Sequence, residues 1–293
     1  MSTAQVTPVG VSIRNVLIAT DFSRCSKAAL EAGLRLATGS KAEAYITFVV
    51  PNDQFLLAGP EAYVAAKDAG KRDLESLQLE LERKYTHGEA RNFHFFLLEG
   101  EVAHSILDLA RQKKADLIVL GTHGRGGLGR AILGSVAENI FRNSPIPVLT
   151  IGPYCCRSEK ALEPANILAP VDFSPAAERA VHYAAALAWE HKSKLTLLHV
   201  IDTKEAGGHD RMAAEAKKKL AAVLERNFPV VCDLRVEFGR VVPMIMKAAE
   251  EIRADLLVMG VRPLIGMMEH FRWPNTYEAV RQALCPVLTV REE

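Results

Sequence analysis

The chain repeats itself. Asn15-Val16-Leu17-Ile18-Ala19-Thr20-Asp21-Phe22-Ser23 returns as Asn166-Ile167-Leu168-Ala169-Pro170-Val171-Asp172-Phe173-Ser174. Ala115-Asp116-Leu117-Ile118-Val119-Leu120-Gly121 returns as Ala254-Asp255-Leu256-Leu257-Val258-Met259-Gly260, and Pro147-Val148-Leu149-Thr150-Ile151 as Pro286-Val287-Leu288-Thr289-Val290. Three matches in the same order mean that a whole folding unit is duplicated, so any fold assigned must be built twice. The first match recurs 151 positions on and the other two 139 positions on, which gives the first copy twelve extra residues, expected in the stretch Asn52 to Pro60. A length of 293 residues suits two domains. These are expected over residues 1–152 and 165–293, with a polar linker at 153–164.

Within the first copy, residues 15–20 form a continuous apolar run with polar neighbours, the pattern of a strand buried on both faces. Helical spacing follows at Ala28, Ala29, Leu30, Gly33, Leu34, Leu36 and Ala37. Further strands are predicted over 44–50, 92–98, 116–120 and 148–151, and further helices over 67–84, 102–113 and 135–142. Five alternations of strand and helix predict an α/β fold, two tandem doubly wound parallel five-stranded sheets. In such sheets ligands lie beyond the carboxyl ends of the strands, so the loops after the first and fourth strands are the ones to inspect.

The net charge is +1, which gives no electrostatic reason to expect nucleic acid or an anionic membrane as partner. The five cysteines, Cys25, Cys155, Cys156, Cys232 and Cys285, are odd in number and form no CxxC. They read as reduced thiols of a cytoplasmic protein. The vicinal pair Cys155-Cys156 is poor geometry for one metal and reads as linker thiols. Residues 1–14 lack a signal-peptide pattern, and no apolar run spans a bilayer.

The fourth strand of the first copy runs into Gly121-Thr122-His123-Gly124-Arg125-Gly126-Gly127-Leu128-Gly129-Arg130-Ala131-Ile132-Leu133-Gly134-Ser135. Glycine lets backbone N–H groups approach an anion without a Cβ in the way. The helix opening at Gly134-Ser135 offers unfilled N–H groups and a positive dipole end to phosphate. Two familiar patterns do not apply. Gly124-x-Gly126-x-x-Gly129 follows the fourth strand instead of the first and has no acidic residue at the ribose distance, so a dehydrogenase is rejected. The Walker pattern is missing, and no lysine precedes Ser135 to serve a γ-phosphate.

The spacing Gly-x2-Gly-x9-Gly-Ser is met in full by Gly121, Gly124, Gly134 and Ser135. On these residues, with Asp21 after the first strand, the chain resembles the universal stress protein family over roughly residues 13–152 and 165–291, in tandem, with an ATP-binding-type first domain. The resemblance implies strand order 3-2-1-4-5, the adenine nucleotide alpha hydrolase-like or flavodoxin-like topology. It implies ATP, with or without magnesium, bound with adenine and ribose near strands 1 and 2. Carried over by residue, Ala19, Thr20 and Asp21 would lie against adenine and ribose, and Val49 against adenine. Leu120, Gly121, Thr122, His123 and Gly124 would line the ribose and phosphate path, with Arg125 and Arg130 adding charge. Gly134, Ser135, Val136 and Ala137 would present the helix N-terminus to the phosphates.

Each position also has a plainer use. Asp21 suits a helix cap, and Ser135 suits the cap of its own helix. His123 is open to a general-base role or to simple hydrogen bonding. Val49 suits core packing, the arginines solvation, and the glycines a tight loop.

The second copy departs from the pattern. Its register from Gly260 to Pro286 is ungapped, so Pro263 replaces Gly124, Trp273 replaces Gly134 and Pro274 replaces Ser135. Proline has no N–H to donate, and an indole stands where backbone should meet phosphate. The loop Pro263 to Trp273 is apolar and Met-rich, open to packing or to partner binding.

The function expected is an ATP-binding stress-response regulator acting through conformation or partners. The alternatives are a slow ATPase or autophosphorylating enzyme, and a ligand-free dimeric scaffold. The fifth strands, Val148–Ile151 and Val287–Val290, are expected at sheet edges, pairing the two copies within the chain and supporting a homodimer.

Overall fold

The structure, a computed structural model, describes residues 12–52, 59–85, 92–122, 134–155, 164–202, 208–224, 230–261 and 274–292. The chain divides into two compact units, over Ile13–Lys160 and Ala161–Glu293. The first contains β1 (Asn15–Ala19), α1 (Arg24–Ser40), β2 (Glu43–Pro51), α2 (Pro60–Lys84), β3 (Phe93–Gly100), α3 (Val102–Gln112), β4 (Leu117–Gly121), α4 (Ser135–Asn143) and β5 (Val148–Ile151). The second contains β6 (Asn166–Pro170), α5 (Pro175–His191), β7 (Lys194–Ile201), α6 (His209–Val223), β8 (Cys232–Phe238), α7 (Val241–Glu251), β9 (Leu256–Val261), α8 (Pro274–Gln282) and β10 (Val287–Arg291).

In the first unit β1 pairs with β2 and β4, β2 with β3, and β4 with β5, all parallel, in the order β3-β2-β1-β4-β5. The second unit repeats this as β8-β7-β6-β9-β10. The predicted α/β class and the doubly wound order are met in each unit. Val16, Leu17, Ile18, Ile118 and Val119 are fully buried, as a strand covered on both faces requires. From β1 the chain steps to β2 and β3, then returns across β1 to β4 and β5. With right-handed crossovers that reversal puts α1 and α2 on one face and α3 and α4 on the other. The packing agrees, since α1 lies on β1, β4 and β5, α2 on β2 and β3, and α3 against α4.

Both units fasten the amino ends of their central strands alike. Asp116 Oδ2 accepts from the backbone N–H of Arg14 at 2.8 Å and of Asn15 at 2.9 Å. Asp255 Oδ2 accepts from Ala165 and Asn166, each at 3.0 Å. The repeated Ala-Asp motif is thus a strand anchor at the end of the sheet remote from the crevice.

The twelve extra residues lie elsewhere than the sequence suggested. α2 has 25 residues and α6 has 15, while their last residues, Lys84 and Val223, keep the 139-position offset. The insertion is therefore mainly ten added residues at the start of α2, not a loop at 52–60. Pro60 at the first turn, after Gly59, was the local start signal. The predicted start at Lys67 came from following apolar spacing alone. Gly70, Leu74 and Leu81 form the buried stripe, and above Gly70 that stripe turns polar at Tyr63 and Lys67.

Candidate functional site

The central seam of the first sheet opens at its carboxyl end. The β1–β4 ladder stops at Ile18–Val119, whereas β1 stays paired with β2 to Ala19–Thr47 and β4 with β5 to Gly121–Ile151. Beyond Ile18 and Val119 the two strands part, each held by its outer neighbour. This is the switch point of the sheet, where the crossovers leave in opposite directions.

On the β1 side, Asp21-Phe22-Ser23 forms a fixed turn. Asp21 Oδ1 accepts from Ser23 N–H at 3.0 Å, and Thr20 Oγ1 accepts from Phe22 N–H at 3.1 Å. Phe22 takes φ +61°, an uncommon left-handed conformation for a bulky residue, inside this hydrogen-bonded turn. Ser23, not Asp21, caps α1, its hydroxyl accepting from Ser26 N–H. Thr20 is 6% exposed, and its hydroxyl donates to Ser26 Oγ at 3.2 Å. Ala19 and Val49 are buried.

On the β4 side, Leu120 and Thr122 are buried, and Thr122 Oγ1 donates to the Ile151 carbonyl at 3.3 Å. The Thr122 hydroxyl is thereby directed at β5. Gly121 has a packing reason to be glycine: a Cβ there would stand 2.7 Å from Cys25 C and Ser26 N, the backbone that opens α1. His123, Gly124 and Arg125, with Arg130, lie outside the described residues.

Gly134 N–H donates to the Thr122 carbonyl at 2.7 Å, which ties the start of α4 to the end of β4. A Cβ on Gly134 would meet that carbonyl at 2.9 Å. Gly134 is the N-cap of α4 and supplies no side-chain hydrogen bond, which corrects the reading of Ser135 as the cap. Ser135 is the exposed first residue of the helix, Val136 half-buried and Ala137 buried. The helix thus begins at the seam with its first-turn amides uncapped by any side chain among the described residues, an arrangement suited to an anion.

A profile of the universal stress protein family, described as such, matches residues 12–152 and again residues 165–291. The chain belongs to the universal stress protein family. Among relatives, the universal stress protein MJ0531 of Methanocaldococcus jannaschii is 34% identical over 143 residues, 47% of this chain and 81% of its own length. The universal stress protein YxiE of Bacillus subtilis is 31% identical over 148 residues, 46% of this chain and 97% of its own. A crystal structure of a universal stress protein from Archaeoglobus fulgidus is similar in fold, with a TM-score of 0.72 at 22% identity over 95% of this chain and 98% of that one.

The second universal stress protein unit keeps the turn and the glycine of the fourth strand. Asp172 Oδ1 accepts from Ser174 N–H at 3.0 Å, and Phe173 repeats the positive φ at 59°. A Cβ on Gly260 would stand 2.4 Å from the Ala176 carbonyl carbon. These features persist where the glycine loop does not, so they belong to the fold before they belong to any ligand. α8 instead begins at Pro274, which has no N–H to present. Pro263 and Trp273 lie outside the described residues.

One group at the rim escaped sequence reasoning. Glu99, at the end of β3, receives the Tyr63 hydroxyl and pairs with Lys67 Nζ at 2.7 Å. The Tyr63 hydroxyl oxygen also lies 3.1 Å from Asn52 Oδ1. The bond from Lys67, then that from Tyr63, holds Glu99 below the usual carboxylate range, and the bond to Glu99 raises Tyr63 above the usual phenol value. The signal available was the i,i+4 spacing of Tyr63 and Lys67 on a helix that begins at Pro60.

Among the described residues no helix is long and apolar enough to cross a membrane, and no cluster of three or more His, Cys, Asp or Glu is placed to hold a metal. Cys25, Cys155, Cys232 and Cys285 are thiols; burial pushes Cys232 up to about 11, so it is protonated at neutral pH.

Proposed function

We propose that the first unit binds an adenine nucleotide, with ATP as the reference ligand, and that the chain is a cytoplasmic stress-response regulator acting through conformation or partners. The observation that carries this reading is the start of α4. Ser135, Val136 and Ala137 bring to the open seam amides that no described side chain caps, and Gly134 is held there by Thr122 without a Cβ in between. These donors fit phosphate, which asks for N–H groups and a positive dipole end. Ser135 adds a hydroxyl beside them. Base and ribose then lie toward β1 and β2, along Ala19–Asp21 and Val49. Magnesium, where ATP brings it, rides on the phosphates, and no protein ligand is assigned to it. The association expected from the fifth strands stands as part of the same proposal.

Calorimetric titration of the purified chain with ATP tests the reading against Gly134→Trp. The indole cannot occupy the space between Gly134 and the Thr122 carbonyl, so ATP affinity is expected to fall roughly tenfold or more through loss of charge-assisted bonds. A wild-type chain with no affinity for ATP, ADP or AMP in the presence of magnesium overturns it.

A further inference from the structure

The ten residues that lengthen α2 belong to the same unit as α4. In a parallel sheet the crossover helix runs antiparallel to its strands, so α2 begins at their carboxyl ends. Because α2 and α6 end in register, the added residues all project past the core, by about 15 Å at 1.5 Å per residue. Gly70 marks where the helix leaves the sheet. A Cβ there would stand 2.3 Å from Phe48 Cε1, and Phe48 in turn packs on Phe22, with ring centroids 5.3 Å apart. Above Gly70, Lys67 and Tyr63 reach Glu99, whose partner across the ladder is Val50, one residue after Val49.

The second unit has neither half of this arrangement. Glu99 is matched by Phe238, and Gly70 by His209, the first residue of α6. Those two rings stack with centroids 4.2 Å apart and planes 23° apart, closing the corner that α2 leaves behind when it continues upward.

We propose that the first two turns of α2 are the base-side wall of the first unit's nucleotide site, and that Glu99 is the positioning residue that holds this wall through Tyr63 and Lys67. This rests on the proposal that an adenine nucleotide binds there with its base near Val49, and adds what bounds it on the β2–β3 side. Glu99 touches the wall and not the ligand. Lys67 and Glu99 are 44% and 41% exposed, so their pair is weak by itself and the wall can yield for ligand entry.

The test uses the full chain and three variants: Glu99→Ala, the double variant Tyr63→Phe with Lys67→Met, and a chain lacking residues 60–69. The last is expected to fold, because the second unit closes around a helix that starts at the equivalent of Gly70. Each is titrated with ATP, AMP and tripolyphosphate, with circular dichroism as the folding control. The point and double variants are expected to weaken ATP and AMP about two- to fivefold, the range of an exposed ion pair, and to leave tripolyphosphate unchanged. The trimmed chain is expected to lose more, with the same split. Hydrogen exchange over residues 59–70 of the wild type is expected to slow when ATP binds. If the wild type binds ATP but all three variants bind it equally well, or lose tripolyphosphate to the same degree, or exchange in 59–70 does not change, the wall is wrong and nucleotide binding stands. If the wild type binds no adenine nucleotide, both fall together.

Discussion

Single residues in this chain often serve the fold where they look reserved for a ligand. Gly121 and Gly260 illustrate this, since each lies against the backbone opening the helix that follows the first strand of its unit, α1 or α5, and only the first is followed by a glycine loop. Gly121→Ala and Gly260→Ala are both expected to destabilise their own unit by about 1–3 kcal/mol, the usual cost of forcing a group into packed backbone. Urea unfolding followed by a probe in each unit would read this, and equal stability to wild type would mean that α1 and α5 shift aside freely. Asp21 and Asp172 teach the same lesson. The repeat made them visible, but their bond to the N–H two residues on is a matter of turn geometry that apolar spacing does not encode. Ser135 was legible as the start of a helix, while its failure to cap that helix depended on where Gly134 is held.

Among the elements, the strands were plain in the sequence because continuous apolar runs have few alternatives in an alternating pattern, while their order came from the family resemblance. The length of α2 was not plain. Its first turns, with Tyr63, Val64 and Lys67, have no core to face, and spacing rules detect only residues that do. The polar contacts there titrate in a definable window. Glu99 is lowered, so its contribution is present above the ordinary carboxylate pKa, about 4.3, and is lost as pH falls through its depressed value. Tyr63 is raised, so its contribution is present below the ordinary phenol pKa, about 10, and is lost as pH rises through its elevated value. Nuclear magnetic resonance of ring-labelled tyrosine is expected to show Tyr63 titrating later than a free phenol in the wild type and near the free value in Glu99→Ala. An unchanged Tyr63 titration in that variant would remove Glu99 as its partner.

At the scale of the whole molecule, duplication supplies a comparison inside one chain. Both sheets part at the central seam, since the β6–β9 ladder ends at Leu168–Leu257 while its outer neighbours run on. Among the described residues, the helix at the first seam opens with an N–H at its first residue, Ser135, whereas the helix at the second opens with Pro274, which has none, so one adenine nucleotide per chain is expected at saturation. Calorimetric stoichiometry checks this, and a value near two would restore the second unit as a site. Light scattering on the same sample is expected to give the mass of a dimer, and a mass matching 32.1 kDa would discard the homodimer and leave the pairing of the two copies within the chain untouched. The shared finishing point of α2 and α6 has a further meaning for descent. Residues can be added to or removed from the upstream end of this helix without reaching its buried stripe, which begins at Gly70. Drift in that dimension alters exposed polar contacts such as Lys67–Glu99, and selection acting on the length of the helix would act at the mouth of the cleft.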